Sequence, residues 1–135
     1  MNQTIIAILC FVIIIAGCKS AKDAALENLA ACLAEKGIHE YGAFWCPHCA
    51  NQAKMFGDGD KILKARGVYI ECDPRCVRDA AGKLPIACNG MESYSDICKE
   101  KGVKQYPTWE FTDGTVSGEQ LPSVLAERAG CAFTE

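Results

Sequence analysis

Ten of the 135 residues are cysteine, and no other feature limits the possible folds of this chain so sharply. Reducing compartments keep thiols apart, so a chain this rich in cysteine either binds metal there or is exported and oxidised into bridges. A scaffold stapled by bridges is held to whatever topology brings its pairs together. Two of the ten stand out by spacing: Cys46 and Cys49 are two residues apart in GAFWCPHCANQ, behind an apolar run and ahead of a polar one.

The N-terminus points to export. Ile5 to Gly17 is almost unbroken apolar sequence, IIAILCFVIIIAG. At ~1.5 Å per residue this run spans about 20 Å, short of the ~30 Å hydrocarbon core of a bilayer. The length suits the apolar region of a signal peptide or a short anchor over residues 1–17. The run ends in Ile15-Ala16-Gly17-Cys18, which resembles a bacterial lipobox, with Cys18 as the lipidated residue. The stretch MNQT departs from the usual pattern because it lacks Lys and Arg. Residues 18–23 read as a tether and 24–135 as one domain, a size that fits a single core. The net charge of −3 gives no reason to expect nucleic acid. Setting aside Cys10 with the leader and Cys18 with the lipid leaves Cys32, Cys46, Cys49, Cys72, Cys76, Cys88, Cys98 and Cys131.

Within the domain, Leu26, Leu29, Ala30 and Leu33 fall at helical spacing in Ala24 to Lys36, with Gly37 as a stop. Ile38 to Phe44 reads as a strand, and a helix starts at Pro47, a residue suited to a first turn, and runs to about Phe56. Gly57 to Gly59 reads as a break, Lys61 to Arg66 as a helical turn and Val68 to Cys72 as a second strand. The stretch 73–92, with Pro74, Gly82, Pro85 and Gly90, is long enough that it is either functional or stapled. Ser93 to Lys101 reads as a helix with Ser93 as its N-cap. Asp113-Gly114 between Trp109–Thr112 and Thr115–Gly118 signals a hairpin, and Leu121 to Ala129 a closing helix. The order α, β, α, β, α, β-hairpin, α predicts a mixed four-stranded sheet with helices on both faces. Its first two strands should run parallel through a right-handed crossover.

A Cys-x-x-Cys pair where a strand passes into a helix has a chemical rationale. The unpaired N–H groups and positive dipole end of the helix stabilise a thiolate on Cys46. A thiolate is both the attacking species and the better leaving group in disulfide exchange. Cys46 is therefore the expected nucleophile and Cys49 the resolving thiol. Zinc held by Cys46, Cys49, Cys72 and Cys76 is the chemical rival, but it leaves the strand–helix context unexplained. A c-type haem would need His where Ala50 stands.

Trp45-Cys46-Pro47-His48-Cys49 after an apolar strand, with Tyr106-Pro107-Thr108 before the third strand, resembles the thioredoxin superfamily. More narrowly, YGAFWCPHCANQ, YIECD, CKEKGVKQYPTW and GEQ resemble the thioredoxin-like domain associated with vitamin K epoxide reductase homologues and its single-domain exported relatives. The similarity covers about residues 30 to 135. It implies a thioredoxin fold preceded by an extra helix, with a cis-proline segment at Tyr106 and Pro107 that contacts substrate peptide. It also implies a buried acid at Glu40 acting as proton shuttle. Trp45 is expected to cover the active-site surface. Pro47-His48 resembles the dipeptide of DsbA-type oxidants, where His48 would favour the thiolate and make the disulfide more oxidising.

The resemblance also bears on the other cysteines. It implies Cys32–Cys131 between terminal helices and Cys72–Cys98 after the second strand, which leaves Cys76 and Cys88 for the long loop, structurally or as a second redox pair. Six cysteines allow 15 connectivities, so the scheme stays open on sequence alone.

These features together predict an exported, membrane-tethered thiol-disulfide oxidoreductase needing no small-molecule cofactor or metal. It would oxidise exported proteins as a monomer and be reoxidised by a quinone-linked membrane partner of the vitamin K epoxide reductase or DsbB type. The rival expectations are a reductase or isomerase kept reduced by a membrane donor, and a non-catalytic binding module.

Overall fold

The computed structural model describes residues 19–134. The leader and the lipobox-like Cys18 lie outside the described residues. No helix among the described residues is long and apolar enough to cross a membrane.

Helix α1 (Ala21–Glu35) begins earlier than the expected Ala24, because Ser20 caps it by accepting the Asp23 N–H at 3.1 Å. Its buried stripe is Leu26, Leu29, Ala30 and Leu33. Strand β1 (His39–Gly42) leads into α2 (Pro47–Phe56), and α3 (Gly59–Ala65) leads into β2 (Tyr69–Glu71). A short 3₁₀ turn (Ile86–Cys88) lies in the long loop before α4 (Ser95–Glu100). The hairpin β3 (Thr108–Phe111) and β4 (Gly114–Ser117) precedes α5 (Pro122–Ala129).

The sheet order is β2-β1-β3-β4, with β1 parallel to β2 and antiparallel to β3, and β3 antiparallel to β4. This is the mixed four-stranded sheet that the element order predicts, in a thioredoxin-like arrangement. Residues paired across neighbouring strands share a face. Glu40 pairs with Tyr69 and with Trp109, and Gly42 pairs with Glu71, so these five lie on one face. The same face carries the main core, which joins Leu29 and Leu33 of α1 to Phe56, Leu63, Trp109 and Leu125. Tyr41 points to the other face, where it packs with Cys72 and with Cys98 of α4.

Three details differ from the sequence reading. Gly59, expected to be part of a break, is the first residue of α3. A Cβ there would lie 2.9 Å from the Leu26 carbonyl oxygen, so glycine lets α3 close onto α1. Ser93 is not the N-cap of α4. Its N–H donates to the Cys76 carbonyl at 2.7 Å and its backbone bridges to Glu71, so it stays extended and the helix starts at Ser95. The hairpin turns at Thr112-Asp113 rather than Asp113-Gly114. Phe111 pairs with Gly114, whose φ of 134° suits glycine, and the buried Trp109 then faces Val116.

Three disulfides staple this frame. Cys32–Cys131 joins α1 to the end of α5, Cys72–Cys98 joins the end of β2 to α4, and Cys76–Cys88 closes the long loop. They are the same pairs that stood as one open scheme among the 15 connectivities.

Candidate active site

With six cysteines bridged, Cys46 and Cys49 are the free thiols among the described residues. The four-thiolate zinc set is not assembled, since Cys72 and Cys76 are bonded to other sulfurs. Cys46 stands at the N-cap of α2 with extended backbone (φ −75°, ψ 120°). Its carbonyl accepts the Ala50 N–H at 3.1 Å, and Pro47 occupies the first turn, where its missing N–H costs nothing. Cys49 follows within the first turn of the helix. Both sulfur-bearing residues are buried, at 6% and 7% exposure, so an attacking group reaches them through a narrow opening.

That opening is framed by residues distant in sequence. The Tyr106–Pro107 peptide bond is cis, and the Cys46 thiol donates to the Tyr106 carbonyl at 3.6 Å. Tyr106 packs on Ala43, Cys46 and Cys49, and its ring meets Trp45 edge-on at 6.1 Å. Trp45 is 55% exposed, and its indole N–H donates to Asp73 at 2.6 Å. Asp73 in turn accepts the Arg75 guanidinium at 2.9 and 2.7 Å, which holds its carboxyl well below the usual range. Trp45, Tyr106 and Pro107 thus sit together beside Cys46.

Behind Cys49 lies a cavity of about 60 Å³ whose walls include Glu40, Cys49, Asp60, Lys64, Tyr69 and Glu71. That volume has room for a few water molecules among polar partners. Glu40 is fully buried, and burial pushes its carboxyl up to about 8, with Asp60 adding to the shift and Lys64 opposing it. Burial also pushes the Cys49 thiol up, with the neighbouring Cys46 and Glu40 adding to the rise. A buried acid that titrates near neutrality beside a thiol that resists ionisation is an arrangement for moving a proton.

His48, expected from the sequence to favour the Cys46 thiolate, is engaged by a distant carboxylate. Its Nδ1 lies 2.6 Å from Glu119 Oε1 on the exposed side of α2, and no hydrogen bond joins it to the Cys46 sulfur among the described residues.

Sequence reasoning missed several members of the site. Tyr69 donates to Glu71 at 3.0 Å, and Glu71 also accepts the Asp73 N–H at 2.9 Å. Two polar residues at i and i+2 of a β-rich run were the available signal. Gly42 is required by the close approach behind the pair: a Cβ there would lie 2.7 Å from Tyr69 Cε2 and 3.0 Å from Cys49 Sγ. Buried Gln52 links α2 to the far loop, accepting from the Trp109 indole at 3.3 Å and the Gln120 N–H at 2.7 Å. Gln52 and Glu119 stand in the stretches YGAFWCPHCANQ and GEQ that carry the resemblance, but nothing local assigns either of them a role.

No family model matches the chain. Over 100 residues, 73% of its own length, the chain is 34% identical to the thiol-disulfide oxidoreductase LTO1 of Arabidopsis thaliana, of whose length it spans 23%. The chain is thus a thioredoxin-like domain similar to one part of a larger thiol-disulfide oxidoreductase.

Proposed function

We propose that this chain is an extracytoplasmic thiol-disulfide oxidoreductase that introduces disulfides into exported proteins through Cys46 and Cys49. The observation that carries the reading is the isolation of this one free pair in a chain whose other described cysteines are bridged. The 34% identity to a thiol-disulfide oxidoreductase supports the reaction class.

In the oxidising direction a substrate thiolate attacks Cys46 Sγ of the Cys46–Cys49 disulfide. The Cys46–Cys49 bond breaks, and Cys49 leaves with the electron pair and takes a proton, with Glu40 as the source across the cavity. A second substrate thiolate then attacks the substrate sulfur of the mixed disulfide and releases Cys46. Two electrons pass to the pair and the substrate gains one disulfide. A membrane quinone-linked oxidase of the vitamin K epoxide reductase or DsbB type is the proposed acceptor that restores the disulfide. The apolar leader and Cys18 are proposed to hold the domain at that membrane.

The engagement of His48 by Glu119 favours a second reading, in which the pair is kept reduced by a membrane donor and acts as reductase or isomerase. An in vivo trap separates the two. Cys49→Ala should leave Cys46 in mixed disulfides with exported substrates, in a yield that Cys46→Ser abolishes. Adducts only with proteins whose native disulfides need reshuffling would favour the second reading. A complete lack of adducts would overturn both.

A further inference from the structure

Glu119 lies in the loop between β4 and α5, far from the redox pair in sequence, yet its surroundings hold it at the rim of the site. On one side the Gly118 N–H donates to the Pro107 carbonyl at 2.8 Å. On the other, Gln52 of α2 accepts the Gln120 N–H at 2.7 Å and donates to the Gln120 carbonyl at 2.8 Å. The loop is therefore pinned both to the cis-proline segment and to the redox helix. Between those pins, Glu119 Oε1 meets His48 Nδ1 at 2.6 Å and accepts from Asn51 Nδ2 at 3.2 Å, one helical turn along the same face. Its carboxyl is held below the usual range, first by His48 and then by Asn51. Of the pair, His48 is the more exposed, at 66% against 25% for Glu119, so the carboxylate is the fixed partner and the imidazole the free one.

Resting on the reading of Cys46–Cys49 as a thiol-disulfide couple, we infer that Glu119 is a positioning residue that restrains the oxidising strength of the pair by engaging His48. An imidazole that faces the Cys46 sulfur stabilises the thiolate, favours the dithiol and makes the disulfide a stronger oxidant. The Glu119 carboxylate takes the Nδ1 position of that imidazole, holding the ring to the loop, and its negative charge offsets at the Cys46 sulfur the field of any positive charge that the ring carries. Pro-His alone thus overstates how oxidising this pair is.

The test is equilibration of the full chain with glutathione. Two glutathione thiols supply two electrons to the Cys46–Cys49 disulfide, giving the dithiol and one glutathione disulfide. Glu119→Ala should shift this equilibrium toward the dithiol by roughly 1.5- to fivefold, the scale of a partly exposed charged contact, where fivefold corresponds to about 20 mV. Glu119→Gln, which keeps an acceptor and loses the charge, should fall between. In a His48→Ala background the effect of Glu119→Ala should vanish. An unchanged equilibrium, a shift toward the disulfide, or a shift of equal size without His48 would overturn the inference while leaving the redox reading intact. A wild-type chain that does not exchange with glutathione at all would overturn both.

Discussion

The two ends of one sheet face are built on opposite principles. At one end Leu29, Leu33, Phe56, Leu63, Trp109 and Leu125 form a fully buried apolar cluster. At the other, which begins at Glu40 directly across from Trp109, Glu40, Tyr69 and Glu71 share a cavity with Cys49. The apolar end gains stability from each buried group. The polar end gives some of it up, since a carboxyl held at about 8 is one that folding disfavours when ionised. A single small domain can bear that cost because its disulfides and apolar end over-determine the fold.

Substitutions at the two ends should therefore have opposite signs. Leu33→Ala should cost about 2–5 kcal/mol in denaturant unfolding and leave the glutathione equilibrium of the pair unchanged. Glu40→Gln should do the reverse. The native carboxyl stays protonated to about pH 8, whereas the unfolded one ionises near its ordinary value of 4.5. Between those values the unfolded chain binds fewer protons, so wild-type stability falls as pH rises. The variant should be more stable than wild type by up to ~5 kcal/mol at pH 9, with no difference at pH 4. It should also resolve mixed disulfides more slowly, on the order of 10²-fold, in stopped-flow exchange at neutral pH. Equal melting temperatures at both pH values would break the comparison.

Two smaller changes sharpen it. Gly42→Ala should destabilise by about 1–3 kcal/mol, because the new Cβ overlaps Tyr69 and Cys49. Its effect on exchange kinetics should exceed that of a core change of equal cost. Tyr69→Phe removes one donor to Glu71, which keeps the Asp73 N–H. Thermal melts should record a loss of about 1 kcal/mol. A loss as large as that of Leu33→Ala would mean the polar end is structural after all.

The disulfides suggest a graded test of the frame. In the loop-closure picture, removing Cys32–Cys131, with a separation of 99, should cost more than removing Cys76–Cys88, with a separation of 12. The respective losses are ~4.7 and ~3 kcal/mol in chemical unfolding, each read on the paired alanine variant.

Much of this architecture is written locally. Helical spacing in α1, Pro47 at the start of α2 and the β-rich runs around Tyr41, Tyr69 and Trp109 place the elements within a few residues of where they lie. The strand–helix setting of Cys46 and Cys49 follows from the same signals, because a helix terminus and its neighbouring strand are contiguous in the chain. Errors arose where a long-range contact overrode the local signal. Gly59 is helical because α1 approaches it, Ser93 is extended because Cys76 and Glu71 take its neighbourhood, and the hairpin turns where Phe111 meets Gly114.

Chain order was thus enough to specify the elements, their sequence and the chemistry of the Cys46-Pro47-His48-Cys49 segment, since propensity, capping and spacing act over a few residues. The cavity behind Cys49 and the partner of His48 came from packing. Glu40, Tyr69 and Glu71 meet through strand register, and His48 meets Glu119 across a separation of 71 residues. Register and loop placement depend on how whole faces bury against one another, and a one-residue slip of β2 would send Tyr69 and Glu71 to the opposite face.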